Sequence, residues 1–430
     1  MKMSPFLPQD QVFWYIAPQT ITPLEKDIVT DVLVIGGGMA GLMAAQSFHK
    51  RGLKVVLLEK NYCGSGATGK SSGFITPNSE LSLNDLILTH GEAEAKRIWE
   101  FGASGVESIR TTLEEYTLDC DYQKQDTLVV AHTQKAFASA ISTEHTSRES
   151  LQYESTLYSK SELPGILGSH QYEGGISYGG SFGIHPYRYC RGLKDSLQND
   201  GVQIYEETPA LAIENNLVKT PRARVKAEHI VVCIDRFAHS LPTLFDKVYH
   251  VQTFIMLSAP LTQTQIKKIF PHDPYMVWDT ALVYNYYRLT GDNRLIVGGS
   301  DLLHSYVAQE THNATTIMKK LTRSFNEKFP GVEIEFEYIW PGLIGVTKDL
   351  FPIAGHDRTM PSVYYAVGST GLPWAAALGA YSAEAILDKN SAFDEYLSPY
   401  RSCKLGPLTQ RLLGARLTFA LSNLLTVTSI

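Results

Sequence analysis

The residues near the start of the chain that are best suited to chemistry are the glycines of G-G-G-M-A-G at residues 36–41. They follow residues 31–35, a short apolar run that predicts a buried parallel strand, and they precede a run of helix formers. Gly36 suits a tight turn, Gly38 lets a pyrophosphate approach the backbone, and Gly41 lets the helix pack closely on the strand. Free amides at the start of the helix would favour phosphate charge. The motif predicts a dinucleotide site.

A second apolar run at residues 54–59 predicts another buried strand, which completes a β-α-β unit of about 30 residues. Glu59 ends this strand 18 residues after Gly41. A carboxylate at this position would accept hydrogen bonds from the adenosine ribose and would disfavour a 2′-phosphate. The unit therefore argues against NADP, and by itself it leaves NAD and FAD open.

The elements that must position this site are spread over the whole chain, which with 430 residues exceeds one typical hydrophobic core. Residues 81–159 carry mostly helical patterns. Residues 249–299 are rich in strand formers, with predicted paired strands at 282–289 and 294–297. A late strand at 363–367 is followed by a loop and a helix. The length of the chain predicts two domains.

The composition narrows the class of protein. The net charge of −6 and the lack of a basic stripe argue against a nucleic-acid partner. Five widely spaced cysteines without a C-x-x-C pair argue against a disulfide framework or a zinc site. The first residues lack a signal-peptide pattern, so a cytoplasmic protein is expected. Residues 412–430 predict a docked amphipathic helix, with a helix lying on a membrane surface as the lesser alternative.

The segment G-S-G-A-T-G-K-S-S-G at residues 64–73 resembles the G-S-G-A-S-G-R-N-G-G loop of the D-amino-acid oxidase/glycine oxidase superfamily, in its gamma-glutamylputrescine oxidase-like branch. Thr68 and Lys70 stand where that family more often has Ser and Arg. Similar matches recur in order along the chain, and they are G-I-H-P at 183–186, T-P-A at 208–210, W-P-G-L at 340–343 and G-S-T-G-L-P at 368–373.

The resemblance implies an α/β fold with a Rossmann-like FAD-binding domain and FAD held without a covalent bond. The FAD-binding domain would be discontinuous, comprising residues 25–80, 183–240 and 336–390. A β-rich α+β substrate domain, residues 81–182 and 241–335, would be inserted into it. Residues 391–430 would form a C-terminal helical tail.

The same resemblance implies which residues contact the cofactor. They are Gly36, Gly38, Met39, Ala40, Gly41, Glu59, Lys60, Ala67, Thr68, Lys70, Ser71, Ser72, Gly73, Ala210, Cys233, Gly342, Gly368, Gly371, Leu372 and Pro373. The loop at 368–371 opens the last predicted helix, whose N-terminus would stabilise negative charge on a reduced flavin.

The resemblance further implies an enzyme that oxidises CH–NH or CH–NH2 donors by hydride transfer to flavin N5, giving an imine, with oxygen as the expected acceptor. One departure bears on the substrate. Members that oxidise amino acids carry an Arg that binds the substrate carboxylate, and the matching residue here is Ile344. An amine without an α-carboxylate is therefore indicated, unless another cation, such as Arg288 or Lys348, takes the place of that Arg.

Three candidates for a role at the reacting centre are Tyr286, Arg288 and His185. Strand alternation puts Tyr284, Tyr286 and Arg288 on one face, where they would form an aromatic wall with a cation. Ordinary cross-strand packing explains the tyrosines equally well, and a hydrogen-bonded structural role explains His185 better than catalysis. A flavin dehydrogenase that reduces a quinone or carrier, and a flavoprotein without catalysis, remain alternatives.

Overall fold

The structure is a computed structural model that describes residues 12–16, 21–78, 80–281, 284–300, 305–307 and 314–428. The helices of this part of the chain are Met39–Lys50, Ala67–Lys70, Leu83–His90, Glu92–Glu115, Gln134–Ala136, Ser142–Ser150, Pro186–Asn199, Gln263–Ile269, Thr315–Lys328, Leu372–Leu387, Asp394–Leu397, Pro407–Leu413 and Ala415–Thr428. Short 3₁₀ or π turns lie at Phe137–Ile141, Leu163–Gly165 and Asp235–Ser240.

The strands form three sheets. The first contains Ile28–Ile35, Val55–Leu58, Gln203–Tyr205, Ala212–Glu214, Leu217–Lys219, Arg224–Val232, Ile353–His356 and Val363–Val367. The second contains Thr127–Val130, Thr156–Ser159, Gly174–Tyr178, Val248–Ser258, Met276–Asp279, Tyr286–Leu289, Leu295–Gly299 and Phe336–Thr347. A small third sheet contains Phe74–Ile75, Gln123–Lys124 and Phe182–Gly183.

The centre of the first sheet is parallel. Ile28–Ile35 pairs with Val55–Leu58 on one side and with Arg224–Val232 on the other, and Arg224–Val232 also pairs in parallel with Val363–Val367. The carboxyl ends of these strands therefore meet at one edge of the sheet. Ligands of such sheets bind outside that edge. The glycines after Ile35 and the loop after Val367 both lie there.

Two helices that begin at this edge pack against each other with almost no side chain between them. We call Leu372–Leu387 the closing helix. A Cβ on its Gly379 would lie 2.2 Å from the carbonyl oxygen of Ala40, in the helix Met39–Lys50. A third helix, Glu92–Glu115, packs against the start of the closing helix in the same way, because a Cβ on its Gly105 would lie 1.9 Å from the carbonyl oxygen of Pro373. These close contacts hold the starts of both helices at the ligand-binding edge.

The second sheet contains two short strands that the sequence patterns did not predict. Residues 81–159 are mostly helical, as expected, but they also contain Thr127–Val130 and Thr156–Ser159. These strands have only four residues each, too few for clear alternation. The predicted boundary at 336 also gives Phe336–Thr347 to the FAD-binding domain, whereas this strand pairs along its length with Val248–Ser258 in the second sheet. A continuous ladder of backbone hydrogen bonds fixes it there.

The C-terminal helices dock on the protein, as the amphipathic pattern predicts. Phe419 is fully buried, and its ring lies 5.4 Å from that of Tyr249. The side-chain amide of Asn423 donates to the carbonyls of Thr347 and Lys348, at 2.8 and 3.0 Å. Leucines on the outer face of the same helices remain exposed.

Within the described ranges, no helix combines the length and apolar character that crossing a bilayer requires.

Candidate cofactor and substrate site

The glycines of the turn at residues 36–41, which we call the glycine turn, serve two different purposes. A Cβ on Gly41 would lie 1.8 Å from the carbonyl oxygen of Gly36, and one on Gly36 would lie 2.4 Å from that of Cys233. Both glycines are therefore needed for backbone packing, which also brings the end of the strand Arg224–Val232 against the turn. A Cβ on Gly38 would meet only the Thr68 hydroxyl, at 3.2 Å. Gly38 thus faces only the end of one side chain, and no backbone atom, at the start of the first helix.

Glu59 is held beside the glycine turn. Its carboxylate accepts hydrogen bonds from the amides of Gly37 and Asn61, at 2.8 and 2.9 Å. Burial raises the pKa of this carboxyl, and the two amide hydrogen bonds oppose that rise. The amide of Thr208 donates to the Glu59 carbonyl, which brings half-buried Ala210 to the same region.

Two further predicted cofactor residues lie close by. The ammonium of Lys60 lies 3.3 Å from the centroid of the Phe237 ring, and burial lowers the pKa of this lysine. The Thr68 hydroxyl, which follows Ala67 in a short helix, accepts a hydrogen bond from the Met39 amide at 3.0 Å. Thr68 therefore links the glycine turn to the segment at residues 64–73, which we call the second glycine loop.

Two tryptophans fix the end of the second glycine loop. The indole of Trp340 donates to the Lys70 carbonyl at 2.9 Å, and the indole of Trp14 donates to the Ser71 carbonyl at 2.8 Å. Trp340 belongs to the W-P-G-L motif at 340–343, from which no such role was predicted, and Trp14 belongs to none of the motifs given above. Because a buried indole N–H needs a hydrogen-bond acceptor, the tryptophan residue type itself is the only sequence signal that could have pointed to this role.

Arg288 completes the anchoring. Its Nε donates to the Ser72 carbonyl at 2.8 Å, its Nη2 to Ile184 at 2.7 Å and its Nη1 to Leu289 at 2.8 Å. The side chain is fully buried, and burial lowers its pKa to about 10. The next loop carbonyl, that of Gly73, accepts from the Ile184 amide. All three guanidinium nitrogens thus bind backbone carbonyls, which favours a loop-holding role over the predicted contact with substrate.

The strand Tyr286–Leu289 presents alternate residues to opposite sides of the second sheet. The ring of Tyr286 lies 5.5 Å from Phe74, which directly follows the second glycine loop. Tyr287 faces the other way, where its hydroxyl is 3.3 Å from that of Tyr172 and its ring packs edge-on against Phe329. Tyr286 is therefore the tyrosine of this pair that lies beside the loop, and burial raises its pKa to about 12.

His185 caps the helix Pro186–Asn199. Its Nδ1 accepts a hydrogen bond from the Arg188 amide at 3.2 Å, and its ring lies 4.6 Å from the Trp14 ring. Burial, aided by the charge of Arg188, lowers the pKa of this histidine to about 3. A neutral, capping imidazole fits the structural role better than the catalytic one.

The His185 environment predicts a specific acid sensitivity. The unfolded chain takes up a proton near the ordinary pKa of about 6.5, whereas the folded protein does not, so stability falls as pH drops below that value. His185→Asn keeps a capping acceptor and removes this titration. Between pH 7 and pH 5, wild type should lose about 2 kcal/mol more unfolding free energy than the variant in urea titrations. The exposed His272→Asn should behave like wild type, and equal losses in wild type and His185→Asn would contradict the assignment.

The start of the closing helix forms the far side of the site. Gly368 and Gly371 have left-handed φ values of 69° and 94°. A Cβ on Gly371 would meet nothing nearer than the Asn78 carbonyl at 3.9 Å, and one on Gly342 would meet Thr253 at 3.7 Å. The first-turn amides, from Leu372 onwards, have no partner within their own helix and carry partial positive charge. As at Gly38, no backbone atom of another segment crowds the start of this helix.

The arrangement fits a dinucleotide: two helix starts with open glycines meet at one sheet edge, and a buried carboxylate lies next to the first. A protein-family model described as FAD dependent oxidoreductase matches residues 31–385. The chain belongs to this family of FAD-dependent oxidoreductases. FAD is therefore its dinucleotide, which confirms the cofactor expected from the second glycine loop.

Relatives cover most of this FAD-dependent oxidoreductase. A probable oxidoreductase OrdL of Haemophilus influenzae is 30% identical over 89% of this chain and 88% of its own length. The gamma-glutamylputrescine oxidoreductase of Escherichia coli is 26% identical over 81% of each chain. Both comparisons support the family and branch suggested by the sequence.

Solved structures share the fold. The glycine oxidase of Geobacillus kaustophilus superposes with a TM-score of 0.74 at 19% identity, covering 88% of this chain and all of its own. The L-proline dehydrogenase of P. horikoshii superposes with a TM-score of 0.72, also at 19% identity, covering 88% of this chain and 98% of its own. At this identity the comparisons establish fold alone, and they confirm the predicted α/β class with a Rossmann-like FAD-binding part.

Proposed function

We propose that this flavoprotein oxidises the C–N bond of an amine or amino acid to an imine by hydride transfer to flavin N5, with oxygen as the electron acceptor. The observation that carries the proposal is the junction between the two large sheets. Arg288 reaches from the second sheet to the Ser72 carbonyl, and Tyr286 from the same strand packs near Phe74. A tyrosine-lined sheet face is thereby held against the loop that borders FAD.

Bound FAD would supply the chemistry by accepting the hydride from the C–H bond next to nitrogen. The residues of this chain then have to orient the substrate and exclude water. Phe74, Trp278 and Tyr286 suit this task, since the Phe74 ring lies 4.9 Å from that of Trp278 and 5.5 Å from that of Tyr286. Together they present an apolar wall beside the loop. Such a wall also favours a neutral amine, which is the form that gives up hydride.

The residues around the site favour an amine over an α-amino acid. Ile344, at the position matching the family's carboxylate-binding Arg, is half-buried and pairs with Val251. Arg288 is occupied by backbone carbonyls. Lys348 lies buried 5.3 Å from the Phe419 ring, beneath the C-terminal helix, and burial lowers its pKa. Neither of the two substitute cations named from the sequence is thus available to a carboxylate.

Anaerobic flavin bleaching tests the reaction. Purified holoprotein is mixed with a panel of primary and secondary amines and with α-amino acids, and the oxidised flavin band is followed. At least one amine should bleach the band within minutes or faster. Its rate of bleaching should exceed that of the matching amino acid. Bleaching by dithionite but by no amine or amino acid would contradict the proposed function.

Admitting oxygen to the bleached sample tests the acceptor. We expect prompt return of the oxidised band with one peroxide per flavin turnover. The competing acceptor, a quinone or carrier, is favoured by the exposed leucines of the C-terminal helices, including Leu408 and Leu412. If the oxidised band returns slowly in oxygen but fast on adding a soluble quinone, the protein is a dehydrogenase and the proposed oxygen acceptor is wrong.

FAD is proposed to be bound without a covalent link. Two cysteines adjoin the glycine turn: a Cβ on Gly37 would lie 2.6 Å from Cys63 Sγ, and the Cys233 carbonyl abuts Gly36. Both thiols are buried, and burial raises the pKa of both, that of Cys233 to about 12, so a nucleophilic thiolate is disfavoured there. Residues 342–347 contain no Cys, and residues 64–73 contain no His. Acid precipitation should leave the yellow colour in the supernatant. Colour that stays with the washed pellet would contradict non-covalent binding.

A further inference from the structure

The C-terminal segment carries a large share of the exposed apolar surface. Among the described residues, twelve large hydrophobic side chains are exposed, and six of them lie between residues 408 and 425. They are Leu408, Leu412, Leu413, Leu417, Leu424 and Leu425, of which Leu408 and Leu412 are the most exposed, at 72% and 79%. Single exposed leucines are ordinary, whereas six in so short a segment mark a surface that another body covers. We call these six leucines the leucine patch.

The inner side of the last helix, Ala415–Thr428, is already bound to the protein. Phe419 is fully buried, and the side-chain amide of Asn423 donates to two backbone carbonyls. Leu417 and Leu424 are two helical turns apart, so they lie on the same side of this helix, and both are exposed. Docking of the inner side therefore fixes the outer leucines in place without covering them.

The preceding helix, Pro407–Leu413, has no buried residue. An isolated helix this short is marginal in water, because too few hydrogen bonds offset the cost of forming its first turn. The core of its own chain does not supply the missing stability. Gly414, with a left-handed φ of 78°, is the only residue between this helix and the last one. The helix is thus held against a docked neighbour while its own leucines face outwards.

The charges of this segment indicate what covers the leucine patch. Residues 402–430 contain Lys404, Arg411 and Arg416 and no Asp or Glu, although the whole chain has a net charge of −6. All three basic side chains are exposed. Leucines beside basic residues suit an anionic membrane surface, where the leucines enter the acyl boundary and the cations meet the headgroups. A second copy of this chain fits less well, because a twofold interface would bring the same basic residues together without an acid from this segment.

We propose that the two C-terminal helices bind this protein to an anionic membrane surface through the leucine patch. The binding is peripheral, because Phe419 and Asn423 keep the last helix docked while the leucines enter only the outer boundary of the bilayer. Docking on the protein and contact with a membrane are therefore compatible and use opposite sides of the same segment. This inference concerns where the enzyme works, and it is independent of the substrate and of the electron acceptor.

Vesicle flotation of the full-length holoprotein tests the proposal. One set of vesicles contains phosphatidylglycerol and phosphatidylcholine in equal parts, and the other contains phosphatidylcholine alone. Wild type should float with the anionic vesicles and bind the neutral ones at least about tenfold more weakly, since each basic residue near an anionic surface contributes about fivefold. Arg411→Gln should weaken binding to anionic vesicles about fivefold. Leu412→Ser should weaken it at least about tenfold, because one leucine no longer becomes buried.

Matched controls come from exposed side chains elsewhere in the chain. Leu88→Ser, in the helix Leu83–His90, and Arg323→Gln, in the helix Thr315–Lys328, should leave vesicle binding unchanged. Retained FAD shows that each variant folds, and Leu408→Ser replaces Leu412→Ser if that variant loses FAD.

The measurement needs no turnover, so its failure is distinct from failure of the proposed function. No binding to either kind of vesicle, equal binding to both, or unchanged binding in Leu412→Ser would each overturn the proposal. If wild type binds no vesicles and instead sediments as a dimer that Leu412→Ser dissociates, the leucine patch is an interface between two copies of this chain.

Discussion

Replacing Arg288 by methionine is expected to weaken FAD binding by roughly a hundredfold, equivalent to about 2.7 kcal/mol. The substitution keeps the length of the side chain but removes every donor to Ser72, Ile184 and Leu289. Three buried carbonyls then lack partners, each at a cost of about 1–3 kcal/mol, partly offset because a buried charge disappears. The loosened loop must also be reordered whenever FAD binds, at about 1–2 kcal/mol per residue. Fluorescence titration of apoprotein with FAD measures the change.

The matched control is Arg294→Met on the same hairpin. Arg294 is partly buried, pairs with Asp292 and Glu337 and donates to the Ser258 carbonyl. It binds none of the three carbonyls that Arg288 binds, so its loss should leave FAD affinity within about threefold. If Arg288→Met keeps normal FAD affinity and instead raises KM for the substrate alone, then Arg288 contacts the substrate, as strand alternation suggests. The two outcomes separate a residue that positions the loop from one that binds the reactant.

Local motifs in this chain predicted local structure well. The glycine turn needs only the types and spacing of Gly36, Gly38 and Gly41, because the backbone contacts that require them lie within one β-α-β unit. The helix starts that follow Gly38 and Gly371 are also predicted by local glycine motifs. The choice of FAD needed the resemblance of the second glycine loop, since a dinucleotide turn is common to several cofactors.

Residues whose role depends on distant partners could not be assigned in this way. Strand alternation predicts that Tyr286 and Arg288 share one face of the strand, and in the structure they do. Alternation cannot reveal that the Arg288 guanidinium donates its hydrogen bonds to backbone carbonyls more than 100 positions away in the sequence. The strand Phe336–Thr347 carries a motif expected to contact the cofactor, and its ladder to Val248–Ser258 nevertheless puts it in the second sheet. A side chain outside the motifs, such as Trp14, has a role that only its neighbours in three dimensions reveal, here the Ser71 carbonyl.

Alanine at two glycines of the turn should have opposite consequences. Gly41→Ala would put a methyl group 1.8 Å from the Gly36 carbonyl oxygen, so the helix must move off the strand. We expect a loss of more than about 3 kcal/mol of unfolding free energy, because backbone atoms cannot give way as side chains do. Gly38→Ala would meet only a hydroxyl at 3.2 Å, and its φ of −84° suits any residue. The fold should therefore tolerate alanine there, while the methyl group obstructs the approach of the pyrophosphate.

Thermal unfolding of apoprotein and titration with FAD distinguish the two effects. Gly38→Ala should keep the apoprotein Tm within about 2 °C of wild type and bind FAD at least a hundredfold more weakly. Gly41→Ala should unfold at markedly lower temperature even with excess FAD. Gly406→Ala, where a Cβ meets no atom within 4 Å, provides the neutral control for both measurements. Normal FAD affinity in Gly38→Ala would show that the pyrophosphate does not lie at the glycine turn, because a methyl group at residue 38 would obstruct phosphates bound there.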